Sequence, residues 1–385
     1  MRAFSGVARS MASFESIAVS HRGCVSDVLL NRPKKLNALD LPMVRECAAG
    51  LDAAEAHAAK GGGCGVLVLR GAGGKAFCAG GDVAAVRSSG LAGAPSDGSE
   101  PLYSAFFREE YALNARLGAH SGADGALKQV SVWDGIVMGG GVGLSAHGRF
   151  RVATENAVFA MPEVAIGLFP DVGGAHALAR MPGNAGVYAA LTGHRLRRAD
   201  LAYSGLATHA VNADRVDGLV ADLEGLDASL EPAAFDEAVR GLLDGAAVDA
   251  GPPSELEENA ALVEAAFGEA SLDGILAALD ADGSPFATKA AASMRRGSPA
   301  SVAVTLELIG RAKALDLNGV LATDFRIATR MLAPPADGGA YSDFYEGVRA
   351  ALVDKDRSPK WNAPPDRAAV LAHFEPLPAD VELAL

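Results

Sequence analysis

Apolar positions fall into short extended runs in the first half of the chain and into helical spacing in the second. Val25–Leu30 reads as a strand, closed by Asn31-Arg32-Pro33. Asp40 then stands as an N-cap with Pro42 in the first turn, and Val44, Cys47, Leu51 and Ala54 share one helix face. Gly61-Gly62-Gly63 ends that helix, and residues 65–70 predict a buried strand. The order is β–α–β. A third strand is expected at 129–133, followed by a glycine run and a helix of small residues. A fourth extended stretch, 151–160, leads into Met161-Pro162-Glu163. Short strands alternating with helices imply an α/β fold. Residues 90–101, rich in Gly, Ser and Pro, predict a surface loop. Beyond about residue 210 the pattern is helix after helix. Ser298-Pro299 starts one whose face carries Val304, Leu308, Ala312 and Leu315, and Leu321, Phe325, Ala328 and Leu332 repeat the spacing. The reading is an α/β core over 15–210 and a helical C-terminal region over 211–385, either a second domain or a docked tail.

Charge and composition then narrow the function classes. The 385 residues carry 34 Lys+Arg against 47 Asp+Glu, a net charge of −13, which excludes sequence-independent nucleic-acid binding through a basic surface. No apolar run is long enough for a transmembrane helix. Cys24, Cys47, Cys64 and Cys78 match no zinc or disulfide spacing, which fits a reducing compartment. Residues 1–14 contain Arg2, Arg9, several Ser and Ala, and no acid. That is the composition of a mitochondrial transit peptide, and a plain disordered N-terminus fits it too.

Three stretches can carry chemistry. Lys75-Ala76-Phe77-Cys78-Ala79-Gly80-Gly81-Asp82 follows a strand, and its small residues expose backbone N–H groups; a glycine turn capped by Asp82 is the bland alternative. Met138-Gly139-Gly140-Gly141-Val142-Gly143-Leu144-Ser145-Ala146 opens a helix with free N–H donors, suited to an oxyanion or a phosphate. It also satisfies the relaxed dinucleotide pattern Gly141-x-Gly143-x-x-Ala146, with close helix–strand packing as the alternative. The third stretch holds Glu163 and Asp171 among apolar residues and glycines, with no base between them. Such surroundings raise a carboxyl pKa toward general acid–base work; a solvated strand end for Glu163 and an N-cap for Asp171 are the alternatives. His147, His176, His194 and His209 have no nucleophile at a recognisable spacing, and Lys34-Lys35 could meet a phosphate or only solvent.

Taken in this order and at these separations, the three stretches resemble the crotonase (enoyl-CoA hydratase/isomerase) superfamily. The match runs from Asn31-Arg32-Pro33-Lys34-Lys35-Leu36-Asn37-Ala38-Leu39 to Leu191-Thr192-Gly193. Residues 106–111, 141–145, 166–174, 344–350 and 354–361 look most like the branch that hydrolyses CoA thioesters. The resemblance implies a spiral of ββα units with a helical C-terminal region that completes the site. It implies that the N–H groups of Ala79 and Gly140 bind the thioester oxygen. By the same resemblance Glu163 matches the superfamily's catalytic acid, Asp171 the hydrolases' second carboxylate, and Glu110 a carboxylate of the substrate pocket. Hydratases carry a second catalytic Glu three residues after the oxyanion glycine, where this chain has Gly143. Residues 118–125 look longer than the family norm, and Asp134 stands where a less acidic residue is usual.

The implied activity is hydrolysis of a short branched β-hydroxyacyl-CoA, with 3-hydroxyisobutyryl-CoA of valine breakdown as the expected substrate. CoA is then part of the substrate, and no metal or redox cofactor is required. The expected partner is this small acyl-CoA, with no nucleic acid or membrane, and a homo-oligomer is left open. The mitochondrial matrix is the expected compartment, with peroxisome or cytoplasm as alternatives. The rival readings are a hydratase or isomerase of the same fold, a nicotinamide-dependent dehydrogenase built on Gly141–x–Gly143, and a non-catalytic CoA-binding or assembly protein.

Overall fold

A hairpin opens the chain, and its first strand lies outside the sequence pattern. β1 (Ile17–Arg22) buries Ile17 and Val19, but His21-Arg22 breaks the alternation that marks a strand. Gly23 turns the chain with φ of 53° into β2 (Val25–Leu30), which pairs antiparallel with β1. Asp40 accepts from the Met43 N–H at 3.0 Å and caps α1 (Leu41–Gly61), whose expected face is buried. The computed structural model describes residues 14–93, 95–335 and 341–385; the segment read as a transit peptide or disordered tail lies outside them except for Phe14.

From here the strands alternate between two sheets. β3 (Gly65–Gly71) is followed by β4 (Ala76–Cys78), α2 (Val83–Ala92) and α3 (Leu102–Ala119). β5 (Leu127–Trp133) is followed by β6 (Ile136–Met138) and α4 (Gly140–Ser145), and β7 (Phe150–Ala153) by β8 (Val158–Ala160). The last strands are β9 (Leu196–Arg197) and β10 (His209–Ala210). One sheet has the order β1-β2-β3-β5-β7-β10, parallel from β2 onward, and the other the order β4-β6-β8-β9. Each turn places one strand in each sheet before a helix, which is the expected ββα spiral.

Two expectations need correction. The extended stretch at 151–160 is two strands in different sheets, separated by a turn at 154–157. Asp134 organises that turn, accepting from the Thr154 hydroxyl at 2.7 Å and from Asn156 Nδ2 at 2.9 Å, so its acidity is used locally. The loop expected from residue 90 begins at 93, because α2 continues through Gly90, where a Cβ would collide with Tyr345 Oη.

After Ala210 every element among the described residues is helical. The first long helices cover the outer face of the sheet. Val66, Val68, Val130 and Phe150 pack against Leu219 and Leu223 of the Val216–Glu224 helix and Phe235, Val239 and Leu243 of the Pro232–Ala246 helix. At about 1.5–3 kcal/mol per fully buried large apolar side chain, this contact docks the helices firmly. Later helices return to the end of the spiral. Ser298 caps the Pro299–Ala312 helix, donates its N–H to the Val164 carbonyl at 2.9 Å and its hydroxyl to Asp343 at 2.6 Å. No helix among the described residues is long and apolar enough to cross a membrane.

Candidate active site

Where the two sheets and the returning helices meet lies a cavity of about 270 Å³, lined mainly by the two glycine-rich loops, α3 and the segment 162–171. Pairing with the segment after β2 sets the first loop. Leu39 donates to the Gly80 carbonyl at 2.8 Å and accepts from the Asp82 N–H at 2.7 Å. In this parallel bridge Gly81, the residue between, turns its N–H to the opposite side. The Ala79 N–H is committed, donating to the Leu36 carbonyl at 3.0 Å. The Ala79 N–H expected as an oxyanion donor is therefore already engaged, and the N–H of this loop without an acceptor among the described residues is that of Gly81. Asp82 also caps α2, accepting from the Ala85 N–H at 3.2 Å.

The second candidate donor lies on the other glycine-rich loop lining the cavity. Gly139, at φ 47°, is the N-cap of α4, and its carbonyl takes the N–H groups of Val142 at 2.8 Å and Gly143 at 3.3 Å. The Gly140 N–H, in the first turn, has no such acceptor. Gly141 and Gly143 are buried packing positions and not a dinucleotide cradle. A Cβ at Gly143 would lie 2.7 Å from both Asn114 Nδ2 and Val172 Cβ, so the hydratases' second Glu has no space here. Gly143→Ala is expected to destabilise the fold by about 1–3 kcal/mol through overpacking. Urea denaturation measures this, and an unchanged midpoint would show that the site yields.

Glu110, Glu163 and Asp171 all line the cavity, and each is at most 6% exposed. Glu163 opens a 3-10 turn (Glu163–Ile166), with its backbone carbonyl accepting from the Leu168 N–H at 3.0 Å; it is not a solvated strand end. Asp171 accepts from the Tyr111 hydroxyl at 2.7 Å. It is not the helix cap either, because the N-cap is Gly173, whose N–H donates to Asp324 at 2.8 Å. Between them Val172 has φ of 53°, a conformation that costs a β-branched residue dearly. His147 holds the Val172 carbonyl at 2.8 Å, so the strained segment that aims Asp171 is fixed on both sides.

Among the described residues no Lys, Arg or His side chain pairs with these carboxylates. Burial pushes the Glu110 and Glu163 carboxyls well up, and the neighbouring Asp171 adds to it. Burial raises Asp171 to about 6, with the Tyr111 hydrogen bond acting in the opposite direction. Asp324 is raised by burial as well. Among the described residues, the buried Glu110 Oε1, Glu163 Oε2 and Asp324 Oδ1 have no hydrogen-bond partner. Burial lowers His147 and His176 to about 4, so both rings are neutral near pH 7. Tyr111 lies within a stretch carrying the family resemblance, which assigns it no role. Asp324 has no sequence signal, being 151 residues from Gly173. Lys34 and Lys35 are exposed on the 3-10 turn Pro33–Lys35, which leads to Leu36 and so borders the first glycine loop.

Free N–H donors beside desolvated carboxylates in one cavity, on a two-sheet ββα spiral, can polarise a carbonyl and act on its carbon or α-position. The chain belongs to the enoyl-CoA hydratase/isomerase family, which it matches over residues 25–372. Over 346 residues it is 41% identical to the 3-hydroxyisobutyryl-CoA hydrolase, mitochondrial, of Xenopus tropicalis, covering 88% of this chain and 82% of the relative. Over 374 residues it is 40% identical to the protein of the same name from Danio rerio, covering 96% and 89%. Among solved structures, an enoyl-CoA hydratase from Rhodobacter sphaeroides superposes with a TM-score of 0.80 at 33% identity, covering 96% of this chain and 100% of that one.

Proposed function

We propose that this protein hydrolyses 3-hydroxyisobutyryl-CoA to 3-hydroxyisobutyrate and CoA, as a mitochondrial matrix enzyme of valine breakdown. The observation that carries the reading is the pairing of Glu163 with a Tyr111-bonded Asp171, where Gly143 leaves no space for a hydratase's second Glu. The relatives named as hydrolases over most of the chain support it.

In this reading the thioester oxygen sits between the Gly81 and Gly140 N–H groups. An oxyanion donor of this kind is typically worth about 10²–10³-fold in rate. Glu163 either attacks the carbonyl carbon, giving an acyl anhydride that water then cleaves to free the carboxylate, or deprotonates a water that attacks that carbon. Either way the C–S bond breaks, CoA leaves as the thiol with one proton, and Asp171 orients the water and manages that proton. Water supplies the acid's oxygen, and no metal or redox group is asked for. Glu110, with its unpartnered Oε1 beside Gly140, receives the substrate hydroxyl.

Thiol release from a panel of short acyl-CoAs tests the reading. Isobutyryl-CoA, lacking the hydroxyl, is expected to react about 10–100-fold less efficiently, because a buried polar group left unpaired costs about 1–3 kcal/mol. Equal kcat/KM for the two esters would sink the substrate assignment. A hydratase reading, suggested by the name of the Rhodobacter structure, would show instead as loss of the conjugated-enoyl absorbance of crotonyl-CoA.

A further inference from the structure

The chain leaves the cavity at Leu352 and at once makes a compact turn with an unusual backbone. Lys355 and Arg357 have φ of 59° and 54°, a region that long L side chains avoid. Arg349 holds the turn in place. Its guanidinium binds Glu346 at 2.8 Å, Asp354 at 2.6 Å and Asp356 at 2.7 Å. The Lys360 N–H donates to Glu346 at 2.7 Å, and the Arg357 N–H to the Ala350 carbonyl at 3.0 Å. Acids and cations alternate along 354–357. With Asp354 and Asp356 engaged by Arg349, Lys355 and Arg357 are exposed and have neither ion pair nor side-chain hydrogen bond among the described residues. The bond from Arg357 to Ala350 brings the second cation back beside the stretch of chain that carries Leu352. Leu352, which lines the cavity, and Val353 are 46% and 51% exposed and lead along the chain from the cavity to the cations.

Leu352 lines the cavity, and the two exposed cations follow it closely in the chain. Strained backbone persists where surrounding contacts over-determine it, and here those contacts fix the backbone that carries the two cations. We propose that Lys355 and Arg357 form a preorganised docking platform for the phosphate groups of the CoA ester. Leu352 and Val353 carry the pantetheine arm, and the acyl group enters the cavity. This rests on the CoA-ester reading above. Preorganisation lowers the ordering cost of the charge-assisted hydrogen bonds to phosphate.

The test compares one acyl group carried on CoA and on pantetheine, which has no phosphate. For Lys355→Gln/Arg357→Gln, KM for the CoA ester is expected to rise about 10-fold or more with kcat little changed. The wild type's dependence of KM on salt is expected to weaken in the variant, and the pantetheine ester to react as before. Lys355→Gly/Arg357→Gly removes the cations and also suits the positive φ, so it is expected to lose CoA affinity without losing Tm. An equal effect on both esters, or none on the CoA ester, overturns the proposal. If the wild type cleaves neither ester, the hydrolase reading fails separately. Calorimetry with free CoA then decides the platform, with equal affinity in wild type and both variants overturning it.

Discussion

Glu163→Gln is expected to abolish turnover, with a loss of at least about 10²–10⁴-fold in kcat, the range of acid–base and nucleophilic roles. The replacement keeps the side chain's size. It also leaves the 3-10 turn intact, because the Leu168 N–H bonds the backbone carbonyl of residue 163 and not its carboxylate. What is lost is the ability to take a proton or attack carbon. CoA-ester affinity is expected to change little, since in the proposed reading the phosphates and the pantetheine arm are bound elsewhere. Stability is expected to move the other way. The carboxyl's folded pKa is raised by burial and by Asp171, so its contribution is present at low pH and is lost as pH rises through the folded value. The amide has no charge to desolvate, and Tm of the variant should equal or exceed that of the wild type at pH 8, with the difference vanishing near pH 4. Thiol-release kinetics, calorimetric binding of the ester and thermal unfolding at both pH values check these three outcomes. A residual kcat within tenfold of wild type would remove Glu163 from the chemistry.

Parts of the fold set by neighbours along the chain are legible in the sequence itself. The Val25–Leu30 strand, the Asp40 cap and the Ser298 start each depend on residues within a turn or two. The parts that mislead depend on distant partners. Nothing local says that the run through 151–160 changes sheets, because the break is held by Asp134 from the previous turn of the spiral. The choice between Ala79 and Gly81 is of the same kind. Both are small residues in one loop, and only the bonds from Leu36 and Leu39, about 40 residues earlier, decide which N–H is free. The carboxylates Glu163 and Asp171 stand out in the sequence because they lack nearby bases. Their support by Tyr111, His147 and Asp324 belongs to tertiary packing, where residues remote in sequence become the contacts that fix a strained segment.

Asp171→Asn should separate proton handling from support. If the group manages the leaving thiol's proton, kcat is expected to fall by roughly 10²-fold or more. The structural cost of the change is small. Asn still accepts from the Tyr111 hydroxyl, and the helix that follows is capped through Gly173 and Asp324, so no cap is lost. The pH dependence sharpens the test. Asp171 has a folded pKa of about 6 against an ordinary 3.8, so it supplies stability below the ordinary value and loses it as pH rises through about 6. At pH 8 the Asn variant is therefore expected to be the more stable protein, by up to about 3 kcal/mol, an advantage that disappears near pH 4. The acid limb of the wild-type kcat profile reports the buried carboxylates titrating together, since Asp171 lies against Glu110, Glu163 and Asp324. In Asp171→Asn that limb should shift to lower pH, because Glu163 no longer ionises beside a negative neighbour. Near-normal kcat with an unshifted limb would return Asp171 to a supporting role and leave Glu163 as the one carboxylate acting on the thioester.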